Sequence, residues 1–374
     1  MTALKIGIVG AGIMGRTLAW TLLQSGHEIS LFDKDKRSAL GQNDASKKNI
    51  PNAAAYAAVG MLAPYSELES TEALIFQLGI RALALWPKLV STLEADVDFR
   101  QQGTLAIAHA ADHADLKRLQ LPLSHKLTNP ILNTTKRWYS INQDEVNLLE
   151  PSLSQTFCDG LYFPNEAWLS PPKLLHALEK KLDQHGIHWY DDCTINSITS
   201  TTLSFNNAQT HNFDWLIDCR GLGAKQDIKK LRGVRGETIT LYAPEVDIKH
   251  MLRLMHPRYR LYIVPRKNNI FVIGATQIES EDDSPITVRS SLELLSAVYS
   301  IHPGFAEAQI IDARVKCRPA LSNNLPRIEQ QGTLLRINGL FRHGFLIAPA
   351  LAEEVSHLIN LGEKSGRQYE GLFF

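Results

Sequence analysis

The 374-residue sequence predicts a mixed α/β (α+β) fold, with a Rossmann-like dinucleotide-binding domain interleaved along the chain with a second, mixed-sheet domain. Three observations carry that expectation. Residues 5–33, KIGIVGAGIMGRTLAWTLLQSGHEISLFD, read as strand, glycine turn, helix and strand. Residues 213–218, FDWLID, are apolar enough for a parallel strand buried on both faces, so the first domain resumes late in the chain after an interruption. Residues 234–311 are mostly strand, with one helix. The length suits two lobes better than one core.

In the opening stretch Ile6, Ile8 and Val9 make the first strand, and Gly10, Gly12 and Gly15 follow as G-x-G-x-x-G around Ala11, Ile13 and Met14. The first glycine permits a tight turn, the second lets a pyrophosphate approach the backbone, and the third lets the helix pack close to the strand. Free amides at the helix N-terminus complete an anion site. Gly26 ends the helix, and the next strand finishes on Asp33, where a carboxylate can accept hydrogen bonds from ribose hydroxyls. Asp33 would repel a ribose 2′-phosphate, which leaves FAD or NAD; the motif does not choose between them. The competing reading is that the glycines only pack a strand–helix turn.

Residues 34–51 are polar and charged, a surface excursion. Residues 52–64, NAAAYAAVGMLAP, are small and apolar, suited equally to a flat ligand and to a tightly packed helix start. Leu74, Leu78, Leu85 and Leu89 have helical spacing within residues 69–93. Residues 99–108 read as a hairpin or bulged strand around Gly103, and His109 and His113 read as solvated surface rather than a metal pair. A strand at 160–163 precedes a helix opened by Ser170-Pro171-Pro172, with Ser170 as its cap. Strand 187–190, a polar hairpin at 195–205 and the strand ending at Asp218 follow. Further strands are expected at 238–241, 261–264, 270–273 and 334–338, with helices at 288–300 and from about Pro349 to 361.

Thirty-nine Lys and Arg balance 39 Asp and Glu, so nothing suggests a nucleic-acid partner. No apolar run is expected to span a membrane, and the first strand begins too near Met1 for a signal peptide. Cys158, Cys193, Cys219 and Cys317 are scattered, which favours a reducing cytoplasm over disulfides or a metal site.

From Gly60-Met61-Leu62-Ala63-Pro64 onward the sequence resembles the FAD-dependent glycine oxidases of thiamine biosynthesis, within the D-amino-acid oxidase superfamily. The resemblance runs through GTLAIA at Gly103, GLYFP at Gly160, RGLGA at Arg220, VRGE at Val234 and LYIVPR at Leu261. It continues through IGAT at Ile273, RPAL at Arg318, LPRI at Leu325 and NGLFRHGFLIAPALA at Asn338. It implies the D-amino-acid oxidase type of fold, with an FAD-binding domain of residues 1–80, 155–230 and 312–374 and a substrate domain of 81–154 and 231–311. It implies that Ala57, Gly60, Met61 and Leu62 lie against the flavin, that Ile195 and Gly221 touch the adenine side, and that Arg342, His343, Gly344, Phe345 and Leu346 hold the pyrimidine end.

For the chemistry, the resemblance implies Arg318 as the anchor of a substrate carboxylate, Tyr262 as a hydroxyl donor to it and Arg342 as a nearby positive charge. The implied reaction is oxidation of glycine by FAD and O2 to an imine, then glyoxylate and ammonia, with hydrogen peroxide; the imine would otherwise supply a thiazole-forming partner. Relatives often assemble, so a homo-oligomer is possible, and the sequence does not fix the oligomeric state. Sarcosine or small D-amino acids are the alternative substrates, an NAD-dependent dehydrogenase is the remote alternative, and a silent FAD-binding subunit is a third. Two departures bear on substrate choice: Arg260 stands where some relatives carry histidine, and Ala53, Ala54 and Ala55 stand where a hydroxyl residue is usual. Cys317 falls where related monomeric sarcosine oxidases attach flavin covalently, although a plain strand cysteine is the preferred reading.

Overall fold

The computed structural model describes residues 2–37, 52–126, 138–153, 156–206, 209–258, 260–362, 369 and 371–374, with only the backbone at 125, 126 and 260. Most of the expected surface excursion at 34–51 lies outside the described residues, as does the side chain of Arg260.

The chain opens with β1 (Lys5–Val9), α1 (Ile13–Gln24) and β2 (Glu28–Phe32), as the glycine motif predicts. Then come β3 (Met61–Leu62), α2 (Ala73–Thr92), β4 (Thr104–Ile107), α3 (His113–Lys126), β5 (Tyr139–Asn142), α4 (Gln143–Leu149), β6 (Asp159–Phe163), β7 (Ala167–Trp168) and α5 (Pro171–Gln184). The middle holds β8 (His188–Tyr190), β9 (Ile195–Ile198), β10 (Thr202–Phe205), β11 (Gln209–Asn212) and β12 (Trp215–Asp218). The last third holds β13 (Arg232–Tyr242), β14 (Met251–Met255), β15 (Arg260–Pro265), β16 (Ile270–Gly274), α6 (Val288–Tyr299), β17 (Gln309–Ala320), β18 (Arg327–Gln331), β19 (Leu334–Asn338) and α7 (Gly344–Leu361).

Two sheets organise these elements. The first has the order β18-β19-β12-β1-β2-β8, with β1 parallel to both β2 and β12. Ile6 and Ile8 are fully buried because α1, α5 and α7 cover this sheet, whose apolar strands need cover on both sides. The second sheet runs β17-β13-β16-β15-β14-β4-β6-β5 and is two-faced. Leu105, Leu252, Leu261, Ile263, Ile273 and Ile239 pack into a core on one face. The residues alternating with them, including Thr104, Arg253, Tyr262, Arg314 and Arg318, share the other face, as the ladder register fixes.

Several expectations shift. β6 pairs with β4 and β5, and β17 with β13, so residues 159–163 and 312–320 lie in the second sheet, whereas the bounds implied by the resemblance group them with the FAD-binding segments. Strands β14, β17 and β18 were not singled out; the polar alternation of β17 hides a half-buried edge strand. Ser170 stands at the N-cap of α5 without a side-chain hydrogen bond. Helix α7 starts at Gly344, five residues before the start read from Pro349, since one proline early in a long buried helix removes only one hydrogen bond. Finally, α2 is long and apolar enough to cross a membrane, with mean hydropathy 1.4, contrary to the sequence expectation. In this fold it packs on α7 and buries Ile75, Phe76, Leu78 and Trp86.

Candidate active site

Between the carboxyl ends of the first sheet and the polar face of the second lies a cleft with a cavity volume of about 410 Å³. Its wall runs from Asp33 past Gly12 to Arg318, the elongated course a dinucleotide needs.

At one end, Gly10 turns the chain with φ +99°, which L side chains rarely adopt. A Cβ on Gly15 would sit 1.8 Å from the Gly10 carbonyl oxygen, so α1 can approach β1 only with glycine there. A Cβ on Gly12, in contrast, would meet nothing within 4 Å; it would project into the cleft beside the N-terminus of α1. No acidic residue lies in the first turn of α1 and no side chain caps it, so its amides remain for an anion. Asp33 accepts from the amides of Ala11 and Asp35, one on each carboxylate oxygen, and each oxygen retains a lone pair for a ribose hydroxyl. Burial raises the pKa of Asp33 and these two amides oppose the rise. These features fit a dinucleotide with an unphosphorylated ribose.

Cys193, Thr194, Ile195 and the turn at Gly221 line the same end. Asn338 ties that turn by donating to the Gly221 carbonyl at 2.9 Å. Ala57, Ala53, Ala54, Ala55 and Ala58 form a wall of methyl groups, consistent with a flat ring lying against it. Gly344 and Phe345, at the N-terminus of α7, close the far end. Ala11, Gly15, Gly60, Met61, Leu62, His343 and Leu346 stand behind the wall rather than on it. Gly60, for example, is needed because a Cβ would collide with the Leu169 carbonyl oxygen at 2.0 Å. His343 is buried, and burial followed by the charges of Arg342 and Arg318 pushes its pKa well below the ordinary value, so the ring is neutral.

Arg318 reaches the cleft from β17. Its Nη1 donates to the Thr276 carbonyl at 3.0 Å, and among the described residues no carboxylate lies within ion-pairing distance. Gly236 on β13 makes room for it, since a Cβ there would lie 2.2 Å from the guanidinium. Burial and then the neighbouring Arg342 bring its pKa down to about 10, so it remains a cation at neutral pH. Tyr262 lies on the same face of the sheet, 6 % exposed, with its hydroxyl lacking a hydrogen-bond partner among the described residues, but it is not on the cavity wall. Arg342 is on the wall, yet its charge is already matched: it pairs with Glu67 at 2.8 Å and donates to Ser70 Oγ at 2.7 Å. The Cys317 thiol points to the carbonyls of Ser280 and Asp282, both at 3.6 Å, and burial raises its pKa. Cys317 also stands on the cleft wall.

Lys316 and Gly236 on the wall, and Glu67 behind Arg342, were not read from the sequence. Period-2 alternation from Arg318 would have found Lys316; Glu67 carries no local signal. Among the described residues no cluster could hold a metal, and His113 instead pairs with Asp159 at 3.1 Å.

The chain is similar to known proteins over nearly its whole length. The family described as DAO, FAD dependent oxidoreductase, matches residues 5–358. A Rhizobium etli protein named for thiamine biosynthesis, the oxidoreductase ThiO, is 36% identical over 94% of this chain and 95% of its own length. The crystal structure of glycine oxidase from Geobacillus kaustophilus superimposes with TM-score 0.79 at 23% identity, covering 96% of each chain. That of iminodiacetate oxidase from Chelativorans sp. BNC1 gives TM-score 0.80 at 22% identity, over 98% and 99%. These two speak for the fold. FAD is therefore the cofactor, the nicotinamide alternative falls, and the chain belongs to the DAO family of FAD dependent oxidoreductases.

Proposed function

We propose that this enzyme is an FAD-dependent oxidase of small amino acids, with glycine as substrate. The observation that carries this is Arg318: a guanidinium on the wall of the cofactor cleft without a carboxylate partner among the described residues, given room by Gly236. Its planar fork can hold a carboxylate through two parallel bonds, fixing orientation as well as charge. Tyr262 brings a buried hydroxyl in need of a partner to the same sheet face. Arg342, neutralised by Glu67, shapes the wall rather than competing for the anion.

Bound FAD supplies the electron acceptor, and its reoxidation by O2 yields hydrogen peroxide. The chain's own part is to fix the amino acid and exclude water, so that the α-hydrogen faces the ring. The organic product is iminoacetate, which hydrolyses to glyoxylate and ammonia or supplies a thiazole-forming enzyme. The ThiO/ThiG bifunctional protein of Trichormus variabilis, 23% identical over 95% of this chain and 52% of its own length, supports that pathway. All four cysteines are free, which agrees with a cytoplasmic setting.

Anaerobic mixing of the holoenzyme with glycine tests the reading. Bleaching of the oxidised-flavin band, followed by recovery in air, is expected. Bleaching by sarcosine or D-alanine but not glycine would move the substrate; a spectrum unchanged by all three would overturn amino acid oxidation.

A further inference from the structure

Behind the cleft lies a buried carboxylate that the chemistry above leaves unused. Glu166, in the turn between β6 and β7, is 0% exposed. Its Oε1 accepts from the Ser66 amide at 2.7 Å; among the described residues Oε2 has no partner of full hydrogen-bond geometry, although the Tyr65 amide and the hydroxyls of Ser66 and Thr104 also face the carboxylate. A fully buried acid is costly unless its donors compensate, so the segment that supplies them is tied to it.

What it holds is the segment that carries Glu67. Glu166 grips this segment at the Ser66 amide, and Arg253 grips it at the Ser66 carbonyl and at Glu69, 3.0 Å away. One residue on, Glu67 pairs with Arg342 at 2.8 Å, and Arg342 also donates to Ser70 of the same segment. Arg342 is the cation whose charge acts on Arg318.

We propose that Glu166 is a positioning residue for substrate binding: by fixing residues 66–70 it keeps Arg342 clamped to Glu67, which leaves Arg318 as the unpaired guanidinium among the described residues of the cleft wall and the amino acid in one orientation. This rests on the reading of Arg318 as the carboxylate anchor. If the clamp opens, Arg342 becomes a second free guanidinium beside Arg318. A carboxylate is then held more tightly but in more than one pose, and turnover suffers more than binding.

The test compares Glu166→Ala, Glu166→Gln and Glu67→Gln as FAD-loaded holoenzymes, with glycine as substrate and acetate as competing carboxylate. Glu166→Ala and Glu67→Gln are both expected to lower kcat about tenfold while KM and the acetate inhibition constant stay level or fall. Glu166→Gln, which retains an oxygen for the Ser66 amide, should recover most of kcat; if the alanine variant does not fold, Glu166→Met, which keeps the bulk without an acceptor for that amide, takes its place. The double variant should be no worse than Glu67→Gln alone, because both act through one contact. A rise in KM and in the acetate constant for the Glu166 variants, or additive losses in the double variant, would reduce Glu166 to a packing role and overturn the proposal. If the wild type is neither reduced by glycine nor inhibited by acetate, the amino acid reading fails and this proposal falls with it.

Discussion

Arg318 is half-buried on the cleft wall and Glu166 is fully buried, and desolvation acts on the two groups in opposite senses. Arg318 is pulled down to about 10 yet stays charged, ready for an anion. Removing it should cost on the order of 2–5 kcal/mol of transition-state binding. Arg318→Ala is thus expected to lose kcat/KM for glycine accordingly, and an unchanged value in steady-state kinetics would refute its role as anchor. Glu166 is pushed from 4.5 up to about 7 by burial, only partly offset by its donors. Because its folded pKa lies above the unfolded one, the unfolded chain ionises first as pH rises; stability is therefore lost between pH 4.5 and about 7 and is level beyond. The loss is roughly 3 kcal/mol. In urea unfolding at pH 5 and pH 8, Glu166→Gln should lack this share of the pH dependence of the wild type.

Within elements, identical residues do different work. Gly12 and Gly15 lie in one turn of the same helix start, but a Cβ at Gly12 enters open cleft whereas one at Gly15 strikes the Gly10 backbone. Gly12→Ala should weaken FAD binding and leave the melting temperature of the apoprotein near the wild-type value; Gly15→Ala should lower that temperature itself. Fluorescence titration with FAD and apoprotein melts separate the two, and equal effects would refute the distinction. At Gly236 the obstructing atom is the far end of Arg318, which can move. Gly236→Ala is accordingly expected to raise KM for glycine with little change in Tm. Helix α7 shows the limit of local signals: Pro349 reads as a helix start, but the buried run from Phe345 onward continues the helix back to Gly344, where its N-terminus meets the cleft.

Across the molecule, the cleft is built from both sheets. Gly12 and Asp33 come from the first, Gly236 and Arg318 from the second, and Asn338 and Gly344 from the closing elements. A ligand that touches all of these binds only the folded arrangement. FAD at a hundred times its dissociation constant should add about 2.7 kcal/mol of stability, and the melting temperature should rise with FAD concentration. A melting temperature insensitive to FAD would contradict a cofactor cleft spanning the two sheets.

The sequence by itself determined the parts whose causes are local. The run Ile6, Ile8, Val9 with Gly10, Gly12, Gly15 and Asp33 specifies its turn, helix and acid through short-range sterics, and the family motifs point to Arg318 and the turn at His343. Only the tertiary structure decided what those residues face. β6 and β17 joined the second sheet because ladder partners distant in sequence were available. Arg342 lost its free charge because Glu67, 275 positions earlier in the chain, was brought within 2.8 Å. Glu166 became a buried hub only by meeting Ser66 across 100 positions. Pairing and desolvation depend on neighbours that folding assembles, and no periodicity or motif in the chain encodes those distances.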